Sequence, residues 1–173
     1  MRENRMSVLL TDRLRWVLVI VKLAEKVEGT TRLQKLAFLV SQNVKELGRY
    51  KFYDIWEAGK YGPYSRELTD DIEMAKQQRI LGVWPVKNGS GFPVDNYMLT
   101  DDGMKIASEI SDSDRKVTAQ IREIVEQYSK SSLMSILYDV YIQYPQYTSG
   151  SVIKSQVARA SGYQDTLLDR QYD

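Results

Sequence analysis

A chain of 173 residues, 43% apolar and 27% charged with a net charge of +1, has room for one domain with a helical extension and the make-up of an ordinary soluble globular protein. It contains no cysteine and no histidine, which removes thiol nucleophiles, disulfides, imidazole acid–base catalysis and the usual zinc ligand sets. Carboxylate-only hydrolysis, or magnesium held by Asp and Glu, remains open to an enzyme because those sites need only oxygen ligands. The expectation is therefore a non-enzyme with no cofactor and no metal. The first 100 residues carry 16 basic and 12 acidic groups (+4), and the remaining 73 carry 8 and 11 (−3). That balance is too weak for a strongly basic nucleic-acid binder but allows a modest basic face on the N-terminal half. The longest apolar run, Trp16 to Val21, is far short of the roughly 18–20 residues of a membrane span. Acid and arginine near the N-terminus break up the apolar stretch of a signal peptide. A cytoplasmic location with no membrane partner is expected.

In chain order, Asp12 to Val27 reads as a helix that is apolar on all sides at its centre, with a strand as the alternative because many of its residues are β-branched. Thr31-Arg32-Leu33-Gln34 has the form of a capping box, with Thr31 as N-cap. Leu33, Leu36, Ala37, Val40, Val44 and Leu47 then recur at helical spacing up to a stop at Gly48. The outer face of this helix is expected to carry Arg32, Lys35, Gln42 and Lys45. Tyr50 to Trp56, aromatic and partly alternating, predicts a strand. The stretch EAGKYGPYSREL follows, and Ser65 is placed to cap a helix with Leu68, Ile72, Ala75 and Ile80 inward. Two short strand-like runs around KNGSGFP predict a hairpin, with Pro85 and Pro93 at edges. Thr100 starts a further helix, Ser111 to Asp114 reads as a hinge, and two amphipathic helices and a last short one follow. The final nine residues, from Asp165, read as a frayed end.

This order predicts a mainly α fold with a small antiparallel sheet. Residues 1–110 would form a winged-helix-like domain with Gly82 to Leu99 as the wing. Residues 111–173 would form a C-terminal helical extension, packed on that domain or forming a dimer interface.

The helix after Ser65 would be the recognition helix of a winged helix, lying in the major groove. From Arg66 to Arg79 it has three basic residues against four acidic ones, and the acids crowd its N-terminal half, where carboxylates would repel phosphate. Candidate nucleic-acid contacts therefore fall elsewhere, on Arg32, Lys35 and Lys45 of the preceding helix and on Lys87 of the wing. The bland reading of each is a solvated helix face and a plain hairpin loop. Tyr138, Tyr141 and Tyr144 recur every three residues, a spacing that suits first a core seam, then a protein interface, and last base stacking. With Tyr61 and Tyr64 of the Gly-Pro turn they form the candidate partner-binding set. Asp70, Asp71, Glu73, Asp101 and Asp102 cluster as helix-start acids rather than metal ligands. GKYGPYS lacks the spacing of a phosphate-binding loop.

TRLQKLAFLV, an aromatic stretch, YGPYSREL and IEMAKQQRILG together resemble the Panacea domain family, antitoxin-like and phage-associated, and its uncharacterised YwgA-like relatives. Leu33-Gln34-Lys35-Leu36 stands in the place of that family's LQKL helix, and Gly62-Pro63-Tyr64-Ser65 in the place of its GP turn. The resemblance spans roughly residues 12–155, and ILYDVYIQYP is similar to a late helix of the YwgA-like group. It implies a non-enzymatic interaction module, antitoxin-like or regulatory, whose partner is a protein, either toxin-like or a second copy of the chain as a homodimer. The tyrosine-rich C-terminal part departs from the better-studied members. The alternative is a winged-helix transcriptional regulator that binds double-stranded DNA. A carboxylate-dependent hydrolase is a distant third.

Overall fold

The computed structural model describes residues 10–160, and the expected frayed end lies outside them. Helix α1 (Asp12–Ala24) starts where the Thr11 hydroxyl accepts from the Leu14 amide at 3.2 Å. Its residues from Trp16 to Val21 are all buried, because α1 is surrounded by elements from later in the chain. The helix stops at Glu25, whose φ of 62° turns the chain out of the helical path. Val27–Glu28 then form a two-residue strand, β1, where the sequence had read continued helix.

Helix α2 (Thr30–Asn43) does not begin with the expected capping box. Its N-cap is Gly29, at φ 87°, with no side-chain cap bond. Gln34, the residue that would have closed the box, is turned into the fold. A 3-10 helix (Lys45–Tyr50) follows, so the helical path breaks before Gly48. The stretch from Phe52 to Trp56 is not a strand. It runs without ladder partners, and its aromatic side chains are inserted into the core, with Phe38 and Trp56 edge to face at 5.2 Å.

The strands come one step later. β2 (Glu57–Gly59) and β3 (Gly62–Tyr64) form a tight hairpin with Glu57 opposite Tyr64 and Gly59 opposite Gly62. Ser65 caps α3 (Arg66–Gln77), its hydroxyl accepting from the Leu68 amide. β4 (Leu81–Lys87) and β5 (Pro93–Leu99) make the expected wing, in register from Leu81 opposite Leu99 to Lys87 opposite Pro93. At its tip the Asn88 side chain accepts from the amides of Ser90 and Phe92, both at 3.0 Å. Pro85 lies on the edge strand β4 as expected, whereas Pro93 opens the central strand, where a missing N–H is tolerated.

Helix α4 (Asp101–Ser113) is capped by Thr100 and pressed so closely on Ile80 that a Cβ at Gly103 would lie 2.0 Å from the Ile80 carbonyl oxygen. The segment read as a hinge is a tight corner. Asp114 caps α5 (Arg115–Tyr128) by accepting from the Val117 amide at 3.1 Å, and it also accepts from Tyr50 Oη at 2.8 Å and pairs with Arg49. Helices α6 (Leu133–Gln143) and α7 (Lys154–Ala160) follow among the described residues.

The protein is mainly helical, with a three-stranded antiparallel sheet of order β1-β5-β4 and the separate β2–β3 hairpin. Apart from the 3-10 helix and the β2–β3 hairpin between α2 and α3, the order of helix, strand, two helices and a hairpin that returns beside the first strand is winged-helix-like. The helices after residue 110 pack on α1 and α2, with Val117, Ile121, Val125, Ile136 and Val140 in the same buried cluster as Leu18 and Leu36. Among the described residues no helix is long and apolar enough to cross a membrane.

Candidate functional site

The two motifs that carry the family resemblance meet in space. Helix α2 lies against β3, and the Gln34 amide reads the backbone of Ser65 on both sides. Its Oε1 accepts from the Ser65 amide and its Nε2 donates to the Ser65 carbonyl, each at 3.0 Å, with a further bond to Thr69 Oγ1. Lys35 Nζ donates to the Pro63 carbonyl at 2.8 Å. From the other side, α6 presses Tyr141 onto the turn. A Cβ on Gly62, which sits at φ 82°, would come within 2.7 Å of the Tyr141 ring. The segment after α6 closes the arrangement, with the Val152 amide donating to the Lys60 carbonyl at 3.0 Å and Tyr141 Oη and Ser151 Oγ paired at 2.7 Å. The Gly-Pro turn is therefore a hub gripped by α2, α6 and the C-terminal segment.

Between α2 and this turn is a cavity of about 370 Å³, walled by Thr30, Thr31, Lys35, Lys60, Tyr61 and Tyr64 together with backbone of Gly59 and Gly62. A second cavity, of about 680 Å³, shares Thr30, Thr31 and Tyr61 with it and extends to Pro93 and Asp95 of the wing and to Leu133 and Ile153. Tyr61, 46% exposed, stands between the two.

Lys35 is the unexpected member. The sequence placed it on the outer face of α2, but it is only 2% exposed. The reason is that α2 is buried on all sides from Leu33 to Val40, with β1, β3, α5 and α6 around it. Burial pushes the Lys35 ammonium down to about 7, because low-dielectric surroundings disfavour its charged form. Among the described residues no carboxylate pairs with it.

The remaining cationic candidates do not converge. Arg32 is half-buried and donates from Nη1 to the Ser131 carbonyl at 2.7 Å, so it ties α2 to the α5–α6 junction rather than facing solvent. Lys45 and Lys87 are exposed, but they lie in different elements, one in the 3-10 helix and the other at the end of β4. Of the tyrosines, Tyr141 is buried, and Tyr144 is half-buried with its ring edge to face on Phe38 at 4.9 Å. Tyr147 packs on Phe38 in the same way at 5.2 Å, and Tyr138 packs against the same core. The C-terminal tyrosine row is thus a seam of the core, as the first of its readings had it, and Tyr141 and Tyr144 are not open to a partner. Tyr64 is half-buried and Tyr61 exposed.

The acids likewise part company. Asp71 is 3% exposed and accepts from Arg13 Nε and from Tyr53 Oη, each at 2.7 Å, while Arg13 also pairs with Glu67. Burial, with Asp71 beside it, pushes the Tyr53 hydroxyl up, so it remains a donor at any physiological pH. Asp71 therefore locks α3 to α1 and is not merely a helix-start acid. Among the described residues no three acids gather as a metal site.

The wing carries what the sequence had not singled out. Trp84, Val86 and Met98 share one face of the hairpin by register, and Phe92 projects at its tip, 68% exposed. The indole of Trp84 lies over Gly82, whose Cβ would fall 2.6 Å from the ring. The alternation of exposed apolar residues in VWPV was the available signal. A comparison with protein-family models, with curated proteins and with solved structures finds no match in any of the three.

Proposed function

We propose that this chain is a cytoplasmic, non-catalytic interaction module, antitoxin-like or regulatory, that works through contacts with a protein partner. The observation that carries this reading is the apolar wing. Trp84, Val86, Met98 and Phe92 leave large apolar side chains in water on a projecting hairpin, and such a patch is the usual mark of a protein contact. Two of the four cations that a nucleic-acid reading needs, Arg32 and Lys35, are engaged inside the fold. The Panacea-like motifs agree with the reading, since in this chain Gln34 and Lys35 are engaged in gripping a turn. Affinity capture from extracts of the native host, with and without nuclease treatment, tests the proposal. A retained protein is expected, and strong retention of nucleic acid without any protein would overturn it.

The winged-helix order of elements favours one second reading, a DNA-binding regulator that uses Lys45, Lys87 and the wing. It requires complexes that weaken steeply with salt in proportion to the phosphates neutralised. A gel-shift titration with no complex at low salt removes it.

A further inference from the structure

The cavity beside the Gly-Pro turn is walled mostly by apolar atoms, and the charged side chains in its wall are both lysines. Gln34, the one side chain there with an amide acceptor, has both its oxygen and its nitrogen engaged by Ser65. An ammonium has three N–H donors, and Lys35 uses one of them, on the Pro63 carbonyl. The exposed Lys60 lines the same space, and no Asp or Glu does. Thr30 and Thr31 add the first turn of α2, whose amides have no side-chain cap and whose end carries the positive pole of the helix. A buried lysine with donors to spare, in a space that holds no counter-charge, lacks an acceptor. The rest of the wall is aromatic ring, glycine backbone and methylene, which suits an apolar body.

We infer that this cavity binds a small organic carboxylate, its anionic end on Lys35 and its apolar body along Tyr61 and Tyr64. At about 370 Å³ the space lies at the lower end of the roughly 300–1,000 Å³ of small-molecule sites, which limits the ligand to the size of an aryl or short alkyl acid. The site is distinct from the wing, and it gives the module a means of responding to a metabolite. Because the second cavity shares Thr30, Thr31 and Tyr61, a bound acid would alter the wall that leads to Asn88, Pro93 and Val94 at the outer end of the wing.

The binding has a signature in pH. Lys35, brought to about 7 by burial, must be protonated to hold a carboxylate, so binding takes up a proton above neutrality. The other titratable groups around it are Lys60, Tyr61 and Tyr64 in the wall, Tyr141 of α6 across Gly62, Glu28 and Arg32 at the start of α2, and Asp95 and Tyr97 of β5, the latter bonded to Thr30. The two carboxylates among them, Glu28 and Asp95, line the neighbouring cavity and not this one.

The test is a titration of the isotopically labelled full chain, followed by amide NMR, with phenylacetate and octanoate and with their neutral amides. The inference expects saturable shifts centred on Thr30, Thr31 and Gly59 to Gly62, and carboxylates at least tenfold tighter than the amides. It also expects affinity to fall about fivefold between pH 7 and pH 8, with proton uptake seen by calorimetry in buffers of different ionisation enthalpy. Lys35→Met should abolish both the preference for acids and the pH dependence, while Lys60→Met should leave the pH dependence in place. If Lys35→Met does not fold, the pH profile and proton uptake of the unaltered protein decide. Equal binding of acid and amide, a flat profile between pH 6 and 8, shifts centred elsewhere, or no binding by either acid at about 20 mM would overturn the inference.

Discussion

Replacing Gln34 by Met removes the clamp between α2 and the Gly-Pro turn with little change in volume. Gln34 is 2% exposed, so no water stands ready to take its place. The Ser65 carbonyl keeps partners after the change, since the Thr69 amide (3.3 Å) and Thr69 hydroxyl (3.2 Å) still donate to it. The Ser65 amide has no other acceptor and is left unpaired in the interior, a penalty of about 1–3 kcal/mol. Against a total stability of about 5–15 kcal/mol the variant stays folded. The expected fall in Tm is about 2–12 °C, at roughly 2–4 °C per kcal/mol for a chain of this length. Thermal and urea unfolding followed by circular dichroism measure it, with Thr69→Val as a comparison that spares the Ser65 amide. Gln34→Met within about 0.5 kcal/mol of the parent would show that the turn is not held by this residue, and the account of the LQKL motif as a clamp would fail.

Three further outcomes follow from the same geometry. Asp71→Ala strands Arg13 and Tyr53 and should cost about 2–4 kcal/mol, below the roughly 3–5 of a fully buried pair because Arg13 is a quarter exposed and keeps Glu67; denaturant unfolding checks it, and a neutral result refutes the lock between α1 and α3. Gly62→Ala puts a Cβ against Tyr141 at a positive φ and should destabilise by about 1–3 kcal/mol, which Gly62→Ala combined with Tyr141→Leu should partly restore. Lys35 makes stability depend on pH. Its folded value of about 7 lies below the unfolded one near 10.5, so between those limits the unfolded chain holds more protons and stability rises with pH. The gain is about 5 kcal/mol at most; Lys35→Met should lack it, and parallel unfolding curves of the two proteins from pH 6 to 9.5 would contradict the burial of this amine.

What the sequence made legible is local, and what it hid depends on distant partners. Ser65 and Thr100 form the caps expected of them, because a hydroxyl that reaches an amide three residues on needs nothing else from the fold. The wing was legible from its two glycines and its alternation. Gln34 was misread for the same reason that Ser65 was read well. Its spacing from Thr31 satisfied the capping-box rule, yet the Ser65 amide, a donor 31 residues away in the turn, took the side-chain oxygen instead. Lys35 followed the polar side of a helical wheel, but that wheel assumes one buried face, and α2 is surrounded. Tyr50 to Trp56 carried strand-like residues whose aromatic side chains pack into the core, while the backbone joins no ladder. β1 was invisible because two residues are too few to show a period. Lys35 was named among the candidate residues as an outward-facing cation, whereas it is buried, and the apolar wing was outside the candidate set because charge makes the more visible motif.

Quantitative capture from host extract with the parent chain and with Trp84→Ser/Phe92→Ser tests the central claim most directly. Both positions are largely exposed, so the double variant should unfold at close to the parent's temperature. The account predicts a protein retained by the parent, insensitive to nuclease, and reduced at least tenfold on the variant. Retention unchanged by the variant, or retention that disappears with nuclease, would contradict it.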